Sequence, residues 1–172
     1  KLRIGFIGLG ALGEGLCNNL VKAGYPVVVN DLNKDLAKGL LAGGATWSDD
    51  VAGTCRDADV VITVLPSPAV SRKVVEGAGG VFENLKAGGT WIEMSTTDME
   101  DLLRLSDVAK SKGITVLECP VTGGVHLANS GEITVLVGGE QSTFDRVQDI
   151  LSTMGGEIIY MGKMGNASVV KV

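Results

Sequence analysis

The sequence of 172 residues lacks several features, and each absence narrows the possible functions. It has no cluster of lysine and arginine and carries a net charge of -5, whereas a nucleic-acid-binding surface needs a basic stripe to neutralise phosphates. It has no apolar run of about 18 residues and no hydrophobic leader before its first strand, so we expect neither a membrane span nor secretion. The expected partner is therefore a small molecule.

Cysteine and histidine are also scarce. Cys17, Cys55 and Cys119 are an odd number with no metal-like spacing, and His126 is the single histidine. One histidine without a nearby cysteine or carboxylate cluster makes a poor metal site, so we expect no metal. We expect the cysteines to be reduced, buried thiols, which is typical of a cytoplasmic protein.

Glycine and short runs of valine and isoleucine are abundant. The runs alternate with helical patterns, which predicts an α/β fold with a doubly wound, mostly parallel sheet and helices on both faces. The predicted strands are 2–8, 27–31, 45–47, 59–64, 90–94, 115–118, 134–137 and 158–161. Beyond the first helix, helices are predicted at 33–42, 68–76, 98–112 and 141–153. Tight turns with positive φ are predicted at the glycine pairs 43–44, 79–80, 88–89, 138–139 and 155–156.

A glycine-rich segment directly follows the first predicted strand and opens an amphipathic helix. It has the spacing GxGxxG and consists of Gly8, Leu9, Gly10, Ala11, Leu12 and Gly13. In this context the first glycine allows a tight turn, the second lets the backbone approach a pyrophosphate, and the third allows close contact of helix and strand. The anion would lie at the positive N-terminus of the helix. At the other end, Gly24 is predicted to stop the helix in a left-handed turn. The segment predicts a Rossmann-like dinucleotide-binding site.

Asn30 and Asp31 stand at the end of the second predicted strand. A carboxylate at the position of Asp31 can accept hydrogen bonds from both hydroxyls of an adenosine ribose. The alternative is that Asp31 caps the next helix, but Asn33 is better placed for that role. A carboxylate would repel a 2′-phosphate and no arginine follows it, so NAD is favoured over NADP, although Lys34 leaves NADP as an alternative.

The chain has five segments in the same order as the β-hydroxyacid dehydrogenases: GFIGLGALG, VLPSP, EMSTTD, ECPVTGG with GEITVLVGG, and GKMGNASVVK. Over its whole length it resembles the N-terminal, NAD-binding domain of the 3-hydroxyisobutyrate dehydrogenase branch of that family. The resemblance implies that residues 1–163 form the cofactor domain and that residues 164–172 begin a long helix leading to an all-helical second domain. It also implies a homo-oligomer assembled through that second domain.

The resemblance implies cofactor-binding roles beyond the glycine-rich segment. Leu65 and Pro66 match a loop that lies along the cofactor, while Ser95 and Thr96 match positions near the nicotinamide ribose. Both pairs follow predicted strands, and open α/β sheets bind ligands at the carboxyl ends of their strands. The alternatives are a proline-stiffened turn at Pro66 and a helix cap at Thr96 or Thr97.

The resemblance also implies where the substrate lies. Thr122, Gly123 and Gly124 match a Ser-Gly-Gly turn whose hydroxyl and backbone amides bind the substrate carboxylate, and the alternative is a plain turn. His126 would lie near that carboxylate and contact a polar or doubly acidic substrate, unless it is a histidine of a surface loop. Lys171 matches the lysine that serves as general acid and base, and the alternative is an ordinary solvated lysine.

The sequence therefore predicts the cofactor-binding half of an oxidoreductase that transfers hydride between NAD and a small 3-hydroxy acid, giving a semialdehyde or keto acid. A non-catalytic dinucleotide-binding module and an imine reductase-like enzyme are the alternatives. Lys171 disfavours both, because a binding module needs no base and imine-reducing relatives usually replace this lysine. We expect the chain alone to be inactive, since the second domain would supply half of the active-site cleft.

Overall fold

The computed structural model describes the backbone of residues 1–171 and the side chains of residues 1–170, and these residues form a six-stranded parallel sheet. Its strands are β1 (Ile4–Ile7), β2 (Val27–Asn30), β3 (Thr46–Trp47), β4 (Val60–Thr63), β5 (Thr90–Glu93) and β6 (Thr115–Glu118). They lie in the order β3-β2-β1-β4-β5-β6, and each neighbouring pair is parallel. The strand order reverses between β1 and β4, which leaves a crevice at their carboxyl ends.

A smaller sheet continues from the β6 edge. It contains β7 (Val121–Thr122), β8 (Thr134–Val137) and β9 (Glu157–Tyr160). The pair β7 and β8 is antiparallel, whereas β8 and β9 are parallel. An antiparallel bridge between Glu118 and Gly138 joins the end of β6 to the end of β8. The sheet is therefore mostly parallel, as predicted.

Helices cover both faces of the large sheet. They are α1 (Ala11–Lys22), α2 (Lys38–Ala42), α3 (Val51–Cys55), α4 (Pro68–Glu76), α5 (Val81–Asn84), α6 (Met99–Ser111), α7 (Gly124–Ser130), α8 (Gln141–Met154) and α9 (Asn166–Lys171). A 3₁₀ turn, Lys34–Ala37, precedes α2. One apolar core takes side chains from α1, α2, α7 and α8, and a second core takes them from α3, α4, α5 and α6. The fold is the predicted doubly wound, Rossmann-like arrangement.

The strands are apolar on both sides because each side of the sheet faces one of these cores. In β1, Phe6 belongs to the core under α1 and Ile7 to the core on the opposite face. In α1, the predicted apolar face is present, with Leu16 and Leu20 fully buried. Burying a leucine side chain contributes roughly 1.5–3 kcal/mol, so this face fixes α1 firmly on the sheet.

Four short elements were not predicted. Strand β7 has two residues, and α3, α5 and α7 have between four and seven, which is too few to show a period. The helix predicted at 33–42 is divided into the 3₁₀ turn and α2. Among the described helices, none is long and apolar enough to cross a membrane.

Two predictions about particular positions were wrong. Gly155 and Gly156 do not have positive φ. They are glycines for lack of space, since a Cβ would lie 2.7 Å from the Ile133 oxygen at Gly155 and 2.9 Å from the Glu132 Cα at Gly156. Asp98, and neither of the two threonines before it, caps α6 by accepting a hydrogen bond from the Glu100 amide at 3.3 Å.

Candidate cofactor and active site

A cleft of about 930 Å³ opens at the carboxyl ends of β1, β2 and β4. Open α/β sheets bind ligands where the strand order reverses, and this cleft lies at that place. Smaller depressions of about 580 Å³ and 280 Å³ lie beside β6 and at the amino ends of β1 and β2. Of the residues predicted to bind cofactor, the cleft is lined by Gly8, Gly10, Ala11, Leu12, Gly13, Asn30, Asp31, Leu65 and Pro66.

The three glycines of the loop between β1 and α1 are glycines for different reasons. Gly8 has a φ of +102°, and a Cβ there would lie 2.1 Å from the Val64 carbonyl oxygen. At Gly13 a Cβ would lie 2.1 Å from the Gly8 oxygen, so helix and strand touch there. At Gly10 a Cβ would meet nothing within 4 Å. The chain itself therefore requires Gly8 and Gly13, whereas Gly10 keeps open a space at the cleft.

Gly10 is also the N-cap residue of α1, and no side chain caps this helix. Its carbonyl accepts the first helical hydrogen bond, from the Glu14 amide at 2.8 Å. A helix N-terminus with uncapped amides and the positive end of the helix dipole attracts anions. Leu9, which was also predicted to bind the cofactor, does not line the cleft. Its side chain is packed in the apolar core and is 1% exposed.

Asp31 holds the glycine loop and the segment after β2 together. Its Oδ2 accepts a hydrogen bond from the Leu9 amide at 2.7 Å, and its Oδ1 accepts one from the Asn33 amide at 2.9 Å. Asn33 is the cap of the following 3₁₀ turn, as predicted. Asn30 donates its side-chain amide to the Ser48 carbonyl at 2.9 Å. A carboxylate has about four acceptor positions, so Asp31 retains acceptor capacity towards the cleft.

The two loops after β4 and β5 are joined by a buried serine. Ser95 Oγ accepts a hydrogen bond from the Leu65 amide at 2.7 Å and lies 3.5 Å from the Thr63 carbonyl oxygen. Leu65 and Pro66 line the cleft, whereas Ser95 is buried behind them and Thr96 is exposed. Ser95 therefore positions the cofactor-facing loop, and its own side chain does not line the cleft.

Glu93 is a functional candidate that sequence reasoning missed. It is 1% exposed at the end of β5, and its Oε1 accepts hydrogen bonds from Thr63 Oγ1 and the Ser95 amide, both at 2.9 Å. Trp91 Nε1 donates in turn to Thr63 Oγ1 at 2.9 Å. This network connects β4, β5 and the loop that Ser95 begins. The sequence does hold a signal for this role, because Glu93 is a charged residue at the end of the predicted buried strand TWIE.

Burial raises the pKa of Glu93, and hydrogen bonds from Ser95, Thr63 and Ser71 oppose that rise. Glu93 Oε2 and Ser71 Oγ are both buried without a partner of hydrogen-bond geometry, although the Ser71 hydroxyl lies close enough to lower this pKa. Glu93 thus connects the ends of β4 and β5, and Ser71 of α4 lies beside it.

The predicted substrate turn lies at the surface. Thr122 ends β7, and Gly123 and Gly124 have φ values of +129° and +79°. All three residues are exposed, and so is His126. His126 lies on α7, so the alternative that placed it in a surface loop was wrong about its secondary structure.

Helix α7, which follows the predicted substrate turn, packs directly on α1, which follows the glycine loop. Asn19 of α1 is 8% exposed and donates to the Ala128 carbonyl of α7 at 2.8 Å and the Met154 carbonyl of α8 at 3.3 Å. A Cβ at Gly15 would lie 2.1 Å from Asn129 Oδ1, so the two helices are in contact there. Asn19 thus caps the ends of α7 and α8 together. No pattern in the sequence indicates this contact.

Lys171 is the last residue of α9, but its side chain lies outside the described residues. The three cysteines are free and buried, as predicted. Burial raises the pKa of Cys55 to about 12 and raises the pKa values of Cys17 and Cys119 as well. Thiols of this kind are not reactive at neutral pH.

The strand order, the glycine loop at the start of α1 and the acidic residue ending β2 define a Rossmann-type domain that binds NAD or NADP. Residues 3–162 match the family described as the NAD binding domain of 6-phosphogluconate dehydrogenase. The chain belongs to this family, and its resemblance to the β-hydroxyacid dehydrogenases is confirmed.

Several relatives of this chain are named as dehydrogenases of hydroxy acids. It is 35% identical to the mitochondrial 3-hydroxyisobutyrate dehydrogenase of Rattus norvegicus over 100% of this chain and 51% of the relative. It is 34% identical to the 2-(hydroxymethyl)glutarate dehydrogenase of Eubacterium barkeri over 100% of this chain and 57% of that one. The structure of Mycobacterium tuberculosis 3-hydroxyisobutyrate dehydrogenase with L-serine is similar, with a TM-score of 0.92 at 33% identity, and the match covers 99% of this chain and 57% of that one. The chain thus spans about half the length of these relatives.

Proposed function

We propose that the protein containing this chain is an NAD-dependent dehydrogenase of a small 3-hydroxy acid, and that this chain is its cofactor-binding half. The observation that carries the proposal is the packing of α7 on α1, through Asn19 and Gly15. This packing holds α7, which begins at the turn of Gly123 and Gly124, against the helix that follows the glycine loop of the cleft.

The residues of the cleft fit a dinucleotide. The space at Gly10 would receive the pyrophosphate, where the uncapped start of α1 attracts its charge. Asp31 would bind the adenosine ribose and repel a 2′-phosphate, which favours NAD. Lys34 lies with its Nζ 5.7 Å from the centre of the Trp47 ring, and a cation in that position is partly committed to the ring.

The substrate carboxylate would lie at Thr122, Gly123 and Gly124. These three residues are exposed, so the Thr122 hydroxyl and the amides of the two glycines could donate to a carboxylate, and the absence of side chains at the glycines allows close approach. His126 would add a donor for a substrate with a second polar or acidic group.

The chemistry is the oxidation of an alcohol. Bound NAD would supply the acceptor for the hydride that leaves the hydroxyl-bearing carbon. Lys171, in its neutral amine form, would take the proton of the same hydroxyl, so that the alcohol loses one hydride and one proton and becomes a carbonyl. In the reverse direction the ammonium group of Lys171 would return the proton to the oxygen.

The arrangement of the whole protein follows from the family resemblance and the length of the relatives. Residues 1–163 would form the cofactor domain, and residues 164–172 would begin the helix that leads to a second, helical domain. That domain would close the substrate cleft and assemble the homo-oligomer. The free, buried cysteines support a reducing, cytoplasmic compartment.

The test uses the full-length protein, with NAD and NADP titrated by calorimetry. Turnover is then measured with 3-hydroxyisobutyrate, 2-(hydroxymethyl)glutarate, 3-hydroxypropionate and L-serine. We expect tighter binding of NAD than of NADP, turnover of at least one of these acids, and NAD binding without turnover by residues 1–172 alone. Lys171→Ala should lower kcat roughly 10²- to 10⁴-fold and leave NAD affinity unchanged.

Lys163→Ala is the matched control, because Lys163 is an exposed lysine shortly before α9. It should leave kcat within about twofold of the parent, as surface substitutions usually do. Turnover by Lys171→Ala at the rate of this control would refute the proposed role of Lys171. NAD binding without turnover of any hydroxy acid by the full-length protein would favour the non-catalytic module.

A further inference from the structure

Glu118 is a buried carboxylate that none of the steps above uses. It ends β6 and is 1% exposed. One carboxylate oxygen, Oε2, accepts a hydrogen bond from the Gly165 amide, and the other, Oε1, accepts one from the Ser168 amide at 2.5 Å. Both donors lie at the start of α9, so Glu118 caps this helix.

The cap comes from a distant part of the chain. Helix caps usually come from the residue just before the helix, whereas Glu118 is 50 residues before Ser168. Hydrogen bonds from amides to a carboxylate are roughly twice as strong as neutral ones. Glu118 therefore attaches the start of α9 to the large sheet by two hydrogen bonds.

The carboxylate of Glu118 has little freedom to move. A Cβ at Gly138 would lie 2.9 Å from its Cδ, so the backbone of Gly138 closes in on the carboxylate. The start of α9 is further held by Ala167, which is fully buried, and by Asn166 Nδ2, which donates to the Met161 carbonyl at 2.9 Å. The next turn of α9 is open, since Val169 is 60% exposed. The direction of α9 therefore depends on the contacts at its start.

Strand β6 also leads to the substrate turn. Thr122 follows Glu118 after three intervening residues, and the bridge between Glu118 and Gly138 fixes the backbone from which that turn departs. Glu118 thus belongs to the strand that leads to the substrate turn, and its side chain contacts the helix that bears Lys171.

We propose that Glu118 is a positioning residue of the active site, which caps α9 from the end of β6 and so fixes Lys171 relative to the turn of Thr122 to Gly124. The proposal rests on the proposed function, in which Lys171 moves the proton. A small displacement of a catalytic group can cost on the order of 100-fold in rate. Loss of the cap should therefore act on turnover and leave the cofactor cleft intact.

The experiment compares Glu118→Gln and Glu118→Asp in the full-length protein with Glu157→Gln, an exposed glutamate of β9. The readouts are the number of NAD-binding sites, the Kd for NAD, and kcat per NAD-binding site with the best hydroxy acid of the panel above. Glu118→Gln replaces one acceptor oxygen by a donor, so we expect kcat per site to fall roughly 10- to 100-fold, with Kd for NAD within about twofold. Glu118→Asp keeps both acceptors on a shorter stem, so part of the rate should return.

These readouts separate positioning from general damage. A destabilised protein would have fewer NAD-binding sites but a normal kcat per site, and that result would overturn the proposal. It would also be overturned if Glu118→Gln matched Glu157→Gln in kcat per site while Lys171→Ala remained inactive. Should Lys171→Ala retain full activity, the proposed function itself would fail.

Gly138→Ala is the second variant, in case Glu118→Gln does not fold. Its methyl group would press on the Glu118 carboxylate, and Gly138 has no positive φ that would exclude alanine. We expect a smaller fall in kcat per site, of roughly threefold to tenfold, again without a change in Kd for NAD. An unchanged kcat per site in Gly138→Ala and Glu118→Asp together would contradict the proposal.

Discussion

The phosphate loop and the substrate turn are both glycine-rich, but they differ in what fixes them. At the phosphate loop, a side chain at Gly8 or Gly13 would lie 2.1 Å from a backbone oxygen, that of Val64 after β4 or that of Gly8 itself. At the substrate turn, Gly124 has open space around it, and Thr122 and His126 are exposed. The first region is complete within this chain, whereas the second presents a surface that a further part of the protein would cover in the proposed function.

The two regions also differ in the elements that hold them. The glycine loop is held by Asp31 and by the neighbouring strand β4. The substrate end is held by contacts that join distant elements, namely Asn19 to Ala128 and Glu118 to Ser168. A cofactor can therefore bind a preformed site, whereas the substrate end relies on the correct assembly of the sheet edge with three helices.

Gly8→Ala should have the largest effect, and it tests whether the phosphate loop is fixed by internal contacts. Alanine would be strained at a φ of +102° and its Cβ would collide with the Val64 oxygen. We expect a loss of roughly 3 kcal/mol or more in the free energy of unfolding, measured by urea denaturation. A stability equal to that of the parent chain would show that the loop can relax, and the comparison above would fail.

Gly10→Ala should lower the affinity for NAD and leave the stability of the fold almost unchanged. A Cβ at Gly10 meets no atom within 4 Å and φ is -60°, so the free energy of unfolding should change by less than about 1 kcal/mol. The methyl group would occupy the space kept for the pyrophosphate, and we expect NAD affinity to fall about tenfold or more, which is about 1.4 kcal/mol. Calorimetric titration beside thermal unfolding measures both. Unaltered NAD affinity would mean that the pyrophosphate does not approach Gly10.

Glu93→Gln tests the buried support behind the cofactor loops. Because burial raises the pKa of Glu93 above its ordinary value of 4.5, the neutral carboxyl stabilises the fold at low pH, and this stability is lost as the pH rises through the folded pKa. Glutamine is neutral at every pH, so the variant should gain stability relative to the parent as the pH rises above 4.5, by up to about 1.4 kcal/mol per pH unit. Urea denaturation across this range checks the slope, and parallel stability curves would refute a raised pKa.

His126→Gln should have the smallest effect, and it sharpens the view of the substrate end as an open surface. An exposed residue of α7 contributes little to folding, so the free energy of unfolding should change by less than about 0.5 kcal/mol. In the full-length protein, KM for the dicarboxylic 2-(hydroxymethyl)glutarate should rise roughly threefold to tenfold, with little change for 3-hydroxyisobutyrate. Equal changes for both acids would remove His126 from the recognition of a second acidic group.

The local features of the cofactor end were predictable. The spacing of Gly8, Gly10 and Gly13 after an apolar strand, and Asp31 at the end of the next strand, led to a cleft that the structure forms with these residues. The four-residue strands were also predictable from short apolar runs between turns, and the helices of nine or more residues from their apolar periods. Prediction missed β7, α3, α5 and α7, because elements of so few residues show no period.

The sequence by itself determined the alternation of strands and helices, the phosphate loop and the acidic residue beside it, because each of these patterns lies within one βαβ unit. Only the tertiary structure decided that Asn19 would cap a helix 109 residues away, that Glu93 would be buried behind the cofactor loops, and that Glu118 would hold the start of α9. The physical reason is that a buried polar group takes its partner from whatever the completed sheet brings near it. No local pattern records which distant amide or carbonyl that will be.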